Sequence, residues 1–410
     1  MESVIMGKNK RQSFVDYFLI SSIIALTGFE FFFRAIELFF YIIGPISCIV
    51  FIHRKRKFTV QFVIFLLMLI AWSSVQIMLG YSTVSALIHF NIRFIIYYLV
   101  VASVGNNFGR IFVNIVTCIS AISIVMYASI NLFPGIYKFL YAISLGISPL
   151  GGGIDAELTS NPGHSLIIFF LPTVHTIRNS GPFWEPGMFA VFINIALALN
   201  VIRTCKLADN KNIILVIASL TTLSTTSYIA TISILLYFYL VINRNARSII
   251  GILVIGICSV YFLESDFGYE KIKSNSENTA AYSRFGAINY HASIIKEYPI
   301  SGRGFQSGEE DNKMEVSPNG LTNLIVFFGI PFSVYLYLLL LKSSFRFAGC
   351  FSTNRKLAAN AILIYLIFLI VAFSQDVTTR HFYYILMMYP LINRPVKIKK
   401  RLINESCHIV

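Results

Sequence analysis

Long apolar runs recur from one end of the chain to the other, and no other feature limits its possible folds as severely. A bilayer core of ~30 Å is crossed by a helix of about 20 apolar residues. Runs that meet or approach this length lie near 14–33, 35–52, 58–80, 91–107, 111–132, 184–204, 212–224, 226–243, 248–263, 321–342, 357–373 and 382–394. Only 13% of residues are charged, against roughly 25% in soluble domains. Too little polar surface remains for a water-soluble fold. Inside a bilayer each backbone polar group must be satisfied within the protein, which restricts spanning segments to helices or closed barrels. The runs therefore predict an all-α, polytopic membrane protein of about twelve transmembrane helices, a single domain over residues 1–410. The first run is longer than a signal-peptide core and has no small-residue cleavage site after it, so no removable signal is expected.

Basic residues orient these spans. Lys8/Lys10/Arg11, Arg54–Lys57, Arg110, Arg203/Lys206/Lys211, Arg244/Arg247, Lys342/Arg346/Arg355/Lys356 and Lys397/Lys399/Lys400/Arg401 fall at alternate span ends. Placing every cluster in the cytoplasm satisfies the positive-inside rule. Clusters on both sides of 212–243 can be cytoplasmic only if that stretch turns back, and a hairpin is expected around Thr222–Ser227. Both termini then lie in the cytoplasm of a bacterial cell, in its inner (plasma) membrane. The net charge of +14 follows from this topology and from an anionic lipid surface. Because the basic groups are dispersed rather than gathered on one face, a nucleic-acid partner is not indicated. The six cysteines are scattered without CxxC spacing, which indicates neither a disulfide framework nor a metal site.

Two long segments stay outside on this topology, at 133–183 and 264–320. The first is semi-apolar, with His164–Ile177 expected along the interface. The second is the most polar part of the chain. Long loops between helices commonly carry function, and three stretches stand out. Arg178-Asn-Ser-Gly-Pro-Phe-Trp184-Glu185-Pro186-Gly187 enters a span, where Pro186 suits the first turn and Glu185 an N-cap. A capped helix with interfacial aromatics accounts for most of it, but not for Arg178 on the side kept poor in positive charge. From Tyr282 and Arg284 to Pro299, helical spacing of Ala287, Tyr290, Ile294 and Ile295 predicts an amphipathic surface helix. His291 reads as a surface residue on it, and Gly302 and Gly304 flank Arg303 in a tight turn. Ser317-Pro-Asn319-Gly-Leu-Thr322 returns the chain to the membrane, with Asn319 and Thr322 as helix caps. Arg93, near the outer end of its span, is costly unless it finds a partner. Arg380-His381 adds a cation and an imidazole.

The outer face thus collects Arg93, Arg178, Arg284, Arg303 and Arg380. Such a ring beside apolar helices suits a pyrophosphate carried on a lipid, with a carboxylate or imidazole to deprotonate an attacking hydroxyl. No DxD-like pair, histidine cluster or GxxxxGK[ST] loop calls for a metal, nucleotide or other cofactor.

At these residues the chain resembles the O-antigen and capsular polysaccharide polymerases (Wzy), relatives of the O-antigen ligases. The resemblance rests on Arg178…Gly181-Pro-Phe-Trp-Glu185-Pro186, then Leu223-Ser-Thr-Thr-Ser-Tyr228. It continues with Arg284 through Pro299-Ile-Ser-Gly302-Arg-Gly304, and Pro318-Asn319-Gly-Leu-Thr…Gly329-Ile330. It implies a GT-C-like, metal-independent membrane glycosyltransferase that joins undecaprenyl-pyrophosphate-linked repeat units in the outer leaflet. Arg178 and Arg284 would hold the pyrophosphate, with Glu185 and His381 as candidate bases. Arg93, Arg303, Arg380, Asn319, Trp184 and Tyr282 would line the substrate site. A chain-length regulator and a flippase of the same pathway would be its partners. Two departures stand out: Pro318 replaces a histidine, and Ser227-Tyr228 stands where a serine-arginine pair is usual. The first weakens the alternative of an O-antigen ligase. A transporter or flippase would need mid-span charges, broken helices or inverted repeats, and almost no ionisable residue sits at a span centre.

Overall fold

The computed structural model describes residues 2–32, 39–151, 163–172, 178–243, 251, 253, 284–304, 319–351 and 356–392. The expected span at 248–263 lies almost entirely outside them, as do Tyr282 and Pro318. The described chain is mostly helical: α1 (Glu2–Gly28), α2 (Gly44–His53), α3 (Val60–Met78), α4 (Val84–Val104), α5 (Phe108–Leu132), α6 (Pro134–Gly151), α7 (Pro186–Thr204), α8 (Asn210–Thr221), α9 (Thr225–Tyr237), α10 (Arg284–Glu297), α11 (Gly320–Phe351), α12 (Leu357–Ser374) and α13 (His381–Met388). The all-α expectation is corrected in one place. The segment 163–172 forms an antiparallel hairpin, β1 (Gly163–Leu166) with β2 (Phe169–Pro172), paired Gly163 to Pro172 and Leu166 to Phe169. The 133–183 segment also begins with the 18-residue helix α6.

Among the described residues, six stretches are long and apolar enough to cross a bilayer: Val60–Met78, Val84–Leu132, Pro186–Thr204, Thr225–Ile242, Gly320–Phe351 and Leu357–Ser374. The second of these contains both α4 and α5, joined by a 3-10 turn at Gly105–Asn107. Shorter apolar helices cover Phe14–Gly28, Phe40–His53 and Asn210–Thr221.

α7 is the central helix. It is apolar on every side and buried from Pro186 to Ile202, the pattern of a helix enclosed by others. It packs against α5, α8, α9, α11 and α12. α3 does the opposite and exposes Val60, Ile64, Leu67 and Met78, a surface that only lipid tails or another apolar body would solvate well.

The stretch 212–243 folds back as a hairpin. Ser219 Oγ lies 2.6 Å from Thr231 Oγ1 and 2.7 Å from Ser227 Oγ. In one continuous helix residues 219 and 231 would stand ~18 Å apart. Leu223 takes a left-handed φ of 46° at the break. The hydroxyls then satisfy Asn194 of α7, which donates to Ser227 (3.0 Å) and accepts from Thr231 (2.9 Å).

α11 is broken as well. Gly329 has φ 72°, and Pro331 lacks an N–H, so the carbonyls before the kink lose their helical donors. The loop after α10 supplies replacements. Arg303 N–H donates to Val326 O (2.7 Å) and Gly304 N–H to Phe327 O (3.2 Å), while Ile330 N–H donates back to Pro299 O (2.9 Å). Gln76 of α3 completes the repair, donating to Phe327 O and Ser301 O, both at 2.8 Å. A Cβ at Gly302 would collide with Gly329 N, and one at Gly329 with Ile300 O. The Pro299–Gly304 motif therefore closes a helix break.

Side-chain contacts sort the helix ends into two groups. One end joins Arg54 to Asp16 (2.5 Å) and Ser103 O, Thr59 to Leu391 O, Arg346 to Ile392 O and Asn106, Lys211 to Asn114, and Lys356 to Ile242 O. It gathers basic residues from clusters that the chain places at alternate span ends. The other end holds the residues singled out above for chemistry.

Candidate functional site

The stretch 178–185 is irregular, with a turn at Gly181 (φ 55°), and is held in place by its backbone. Asn179 N–H donates to Thr221 O (3.0 Å), Phe170 N–H to Gly181 O (2.7 Å) and Glu30 N–H to Pro182 O (3.1 Å). Asn179 also binds Thr221 Oγ1 (3.0 Å) through its amide nitrogen, and its carbonyl accepts from Ser123 (2.6 Å) and Gly181 N–H (3.0 Å). This buried asparagine welds the segment to the α8–α9 turn, where Arg178 Nε reaches Thr222 O at 3.3 Å. Arg178 and the serine-threonine turn of 223–228 are thus neighbours in space.

Pro186 opens α7, as the sequence predicts. Glu185 occupies the expected N-cap position by backbone conformation (φ −149°, ψ 155°), while its side chain makes no capping hydrogen bond. Its carboxylate lies instead beside Gly187, against which the amide of Gln375 packs. Gln375 belongs to the turn between α12 and α13, and that turn brings in two further expected residues. The Arg380 guanidinium sits 5.7 Å from the Trp184 ring centre, within cation–π range, and 4.0 Å from Asp376. From the same turn Thr378 donates to the carbonyl of Gly320, at the first turn of α11.

Asn319 caps α11, its side-chain oxygen accepting from Thr322 N–H at 3.3 Å. Thr322 Oγ1 lies 2.6 Å from His291 Nδ1. The expectation that His291 is a surface residue is wrong, because it is only 2% exposed. Helical register puts it on the buried face of α10 with Ala287 and Ile294, at spacings of four and three. Burial pushes its pKa down to about 4. Arg284 is the first residue of the same helix, two turns earlier.

Two expected residues stand apart from this chain of contacts. Arg303 lies in the loop that fills the α11 break, beside Tyr298 and α3. Arg93 lies within α4, 5.6 Å from the Phe40 ring centre. His381 leads from the first group toward Arg93: its Nδ1 lies 2.8 Å from the Tyr97 hydroxyl, one helical turn beyond Arg93. Gln76, Tyr97, Asn179, Gln375 and Asp376 were missed by sequence reasoning. Each is a polar residue inside or bordering an apolar run, and that cost of burial was the signal available.

Bundle and site together define a polytopic helical membrane protein with a polar, arginine-bearing assembly at one end. Residues 212–341, about a third of the chain, match the O-antigen ligase family. The matched segment runs from α8 to the middle of α11 and includes the turn holding Arg178, the start of α10 and the cap of α11. It agrees with the resemblance carried by the motifs and fits a membrane enzyme of the O-antigen ligase or polymerase type. Comparison of the chain with curated proteins and with solved structures returns no match.

Proposed function

We propose that the protein is a polysaccharide polymerase acting on undecaprenyl-pyrophosphate-linked repeat units at the outer leaflet of a bacterial inner membrane. The observation that carries the reading is convergence. Motifs spread over more than a hundred residues of sequence, at 178–186, 223–228 and 319–322, come together at one bundle end within or beside the matched segment. In this reading Arg178 and Arg284 hold the donor's pyrophosphate. The acceptor sugar's hydroxyl oxygen forms a bond to the donor's anomeric carbon as the bond from that carbon to the pyrophosphate oxygen breaks. The proton passes to a base and undecaprenyl pyrophosphate leaves with the electron pair. Glu185 suits the base better than His381, because His381 is buried with one ring nitrogen committed to Tyr97. The basic end faces the cytoplasm, as do both termini. A flippase and a chain-length regulator work beside the protein.

Deleting the gene and resolving the surface glycan by gel tests this directly. Loss of the ladder with single repeat units still attached is the expected result. Accumulation of lipid-linked polymer, with nothing attached, would instead identify a ligase. Arg178→Ala and Arg284→Ala, expressed at normal levels, are expected not to restore the ladder, and full restoration by both would overturn the pyrophosphate clamp.

A further inference from the structure

Arg93 presents an unresolved charge. It is the tenth residue of a helix that is otherwise apolar around it. Among the described residues it has no ion-pair partner, its Nε is buried without a hydrogen-bond acceptor, and its only close ligand is the Phe40 ring. A cation left this way inside a span is strongly disfavoured. Nothing in the α4 fold requires it, since the neighbouring face is filled by Phe90, Phe94 and Tyr97.

A second orphan lies beside it. Tyr384 of α13 is 2% exposed, and among the described residues its hydroxyl has no hydrogen-bond partner. Its ring lies 5.8 Å from that of Tyr97 and 4.9 Å from that of Phe94, so it stands against the α4 face one turn from Arg93. The charges of Arg93 and Arg380 both act on the Tyr384 hydroxyl, and those of the same two arginines act on His381. The other groups around this point are the Tyr97 hydroxyl, bound to His381, and Asp376, which is turned to Thr379 (2.7 Å) and Arg380. What the cluster leaves unused is donors: a guanidinium on one helix and a phenol on another. An unpaired buried donor is destabilising, and two neighbouring unpaired donors are matched by one oxyanion.

We infer that Arg93 and Tyr384 form an anion site for a lipid-borne phosphoryl group, separate from the one at Arg178. Arg178 stands at the α8–α9 turn, and Arg93 and Tyr384 lie on α4 and α13. The choice of phosphoryl group rests on the polymerase reading. In that reaction both substrates, the growing chain and the incoming unit, arrive on a lipid pyrophosphate, so two anion sites are required. Arg93 and Tyr384 hold the second pyrophosphate, with Arg380 at its border.

Thermal unfolding of the purified full-length protein in phosphatidylcholine nanodiscs tests the site without requiring polymerisation. The probes are farnesyl pyrophosphate and inorganic pyrophosphate. Farnesyl pyrophosphate is expected to raise the wild-type midpoint, and a response to inorganic pyrophosphate as well would show that the anion suffices without the lipid. Tyr384→Phe removes only the unpartnered hydroxyl, and Arg93→Gln only the unpaired charge. Both free variants are expected to unfold at or above the wild-type temperature, with the apparent Kd for farnesyl pyrophosphate raised about tenfold or more. A lowered midpoint in free Arg93→Gln would mean that the arginine already has a structural partner, and would overturn the site. So would undiminished binding in both variants, or no response of wild type to either probe. Binding lost in both variants while the gene deletion leaves the glycan ladder intact would support the site and reject the polymerase reading.

Discussion

His291 illustrates how a single buried side chain couples fold to solution conditions. It joins α10 to the first turn of α11 through Thr322, and burial holds it neutral with a pKa pushed down to about 4. The unfolded chain would take up a proton near pH 6.5, which the folded protein refuses until the pH falls much further. The contribution is therefore complete above about pH 6.5 and is lost as pH falls toward 4. Between pH 7 and 5 the loss is on the order of 1–2 kcal/mol. Unfolding midpoints of wild type and His291→Gln at the two pH values check this. Wild type is expected to lose more on acidification, whereas parallel drops would assign the sensitivity to other groups. The same bond predicts that Thr322→Val loosens the α10–α11 contact, read as faster amide exchange in α10 with the remaining helices unchanged.

At the scale of elements, the informative feature is the break in α11. A helix interrupted inside a membrane protein exposes carbonyls that hydrocarbon cannot solvate. Here Arg303 N–H, Gly304 N–H and the Gln76 amide meet them. Gln76→Leu leaves Phe327 O and Ser301 O without that donor and is expected to cost ~1–3 kcal/mol, measured as a lowered unfolding midpoint. Gly329→Ala combines a positive φ with a collision against Ile300 O. It is expected to cost more than Gln76→Leu, on the order of 3 kcal/mol or above. A Gly329→Ala protein as stable as wild type would show that the kink is not needed. Part of this element was legible in the chain. Pro299, Gly302 and Gly304 announce a tight turn, whereas 321–342 reads as one unbroken apolar run in spite of Gly329 and Pro331. Their union was not legible, because it joins residues 23 to 31 apart through backbone groups whose identity leaves no trace in sequence. The burial of His291 was missed for a related reason: α10 reads as a surface helix until the first turn of α11 covers it. The hairpin at 212–243 was legible because charge clusters on both sides demanded it. The strands at 163–172 were not, since four-residue apolar runs are compatible with helix, strand or interface.

For the whole molecule, the alternation of helix ends yields a prediction about sidedness. Arg54, Lys211, Arg346 and Lys356 collect at one end, and 178–185, 299–304 and 375–381 at the other. Positive residues are retained on the cytoplasmic side of bacterial spans, which predicts that the first end faces the cytoplasm and the second the exterior. Arg56 and Ile300 are both exposed and lie at opposite ends. With the native cysteines replaced, Ile300→Cys is expected to react with a membrane-impermeant maleimide in cells whose inner membrane is intact. Arg56→Cys is expected to react only after that membrane is permeabilised. Labelling of both under one condition would contradict the alternation itself. The reverse pattern would keep the bundle but put the arginine-bearing end in the cytoplasm. An outer-leaflet pyrophosphate could not reach it there, so that result would reject polymerase and ligase alike.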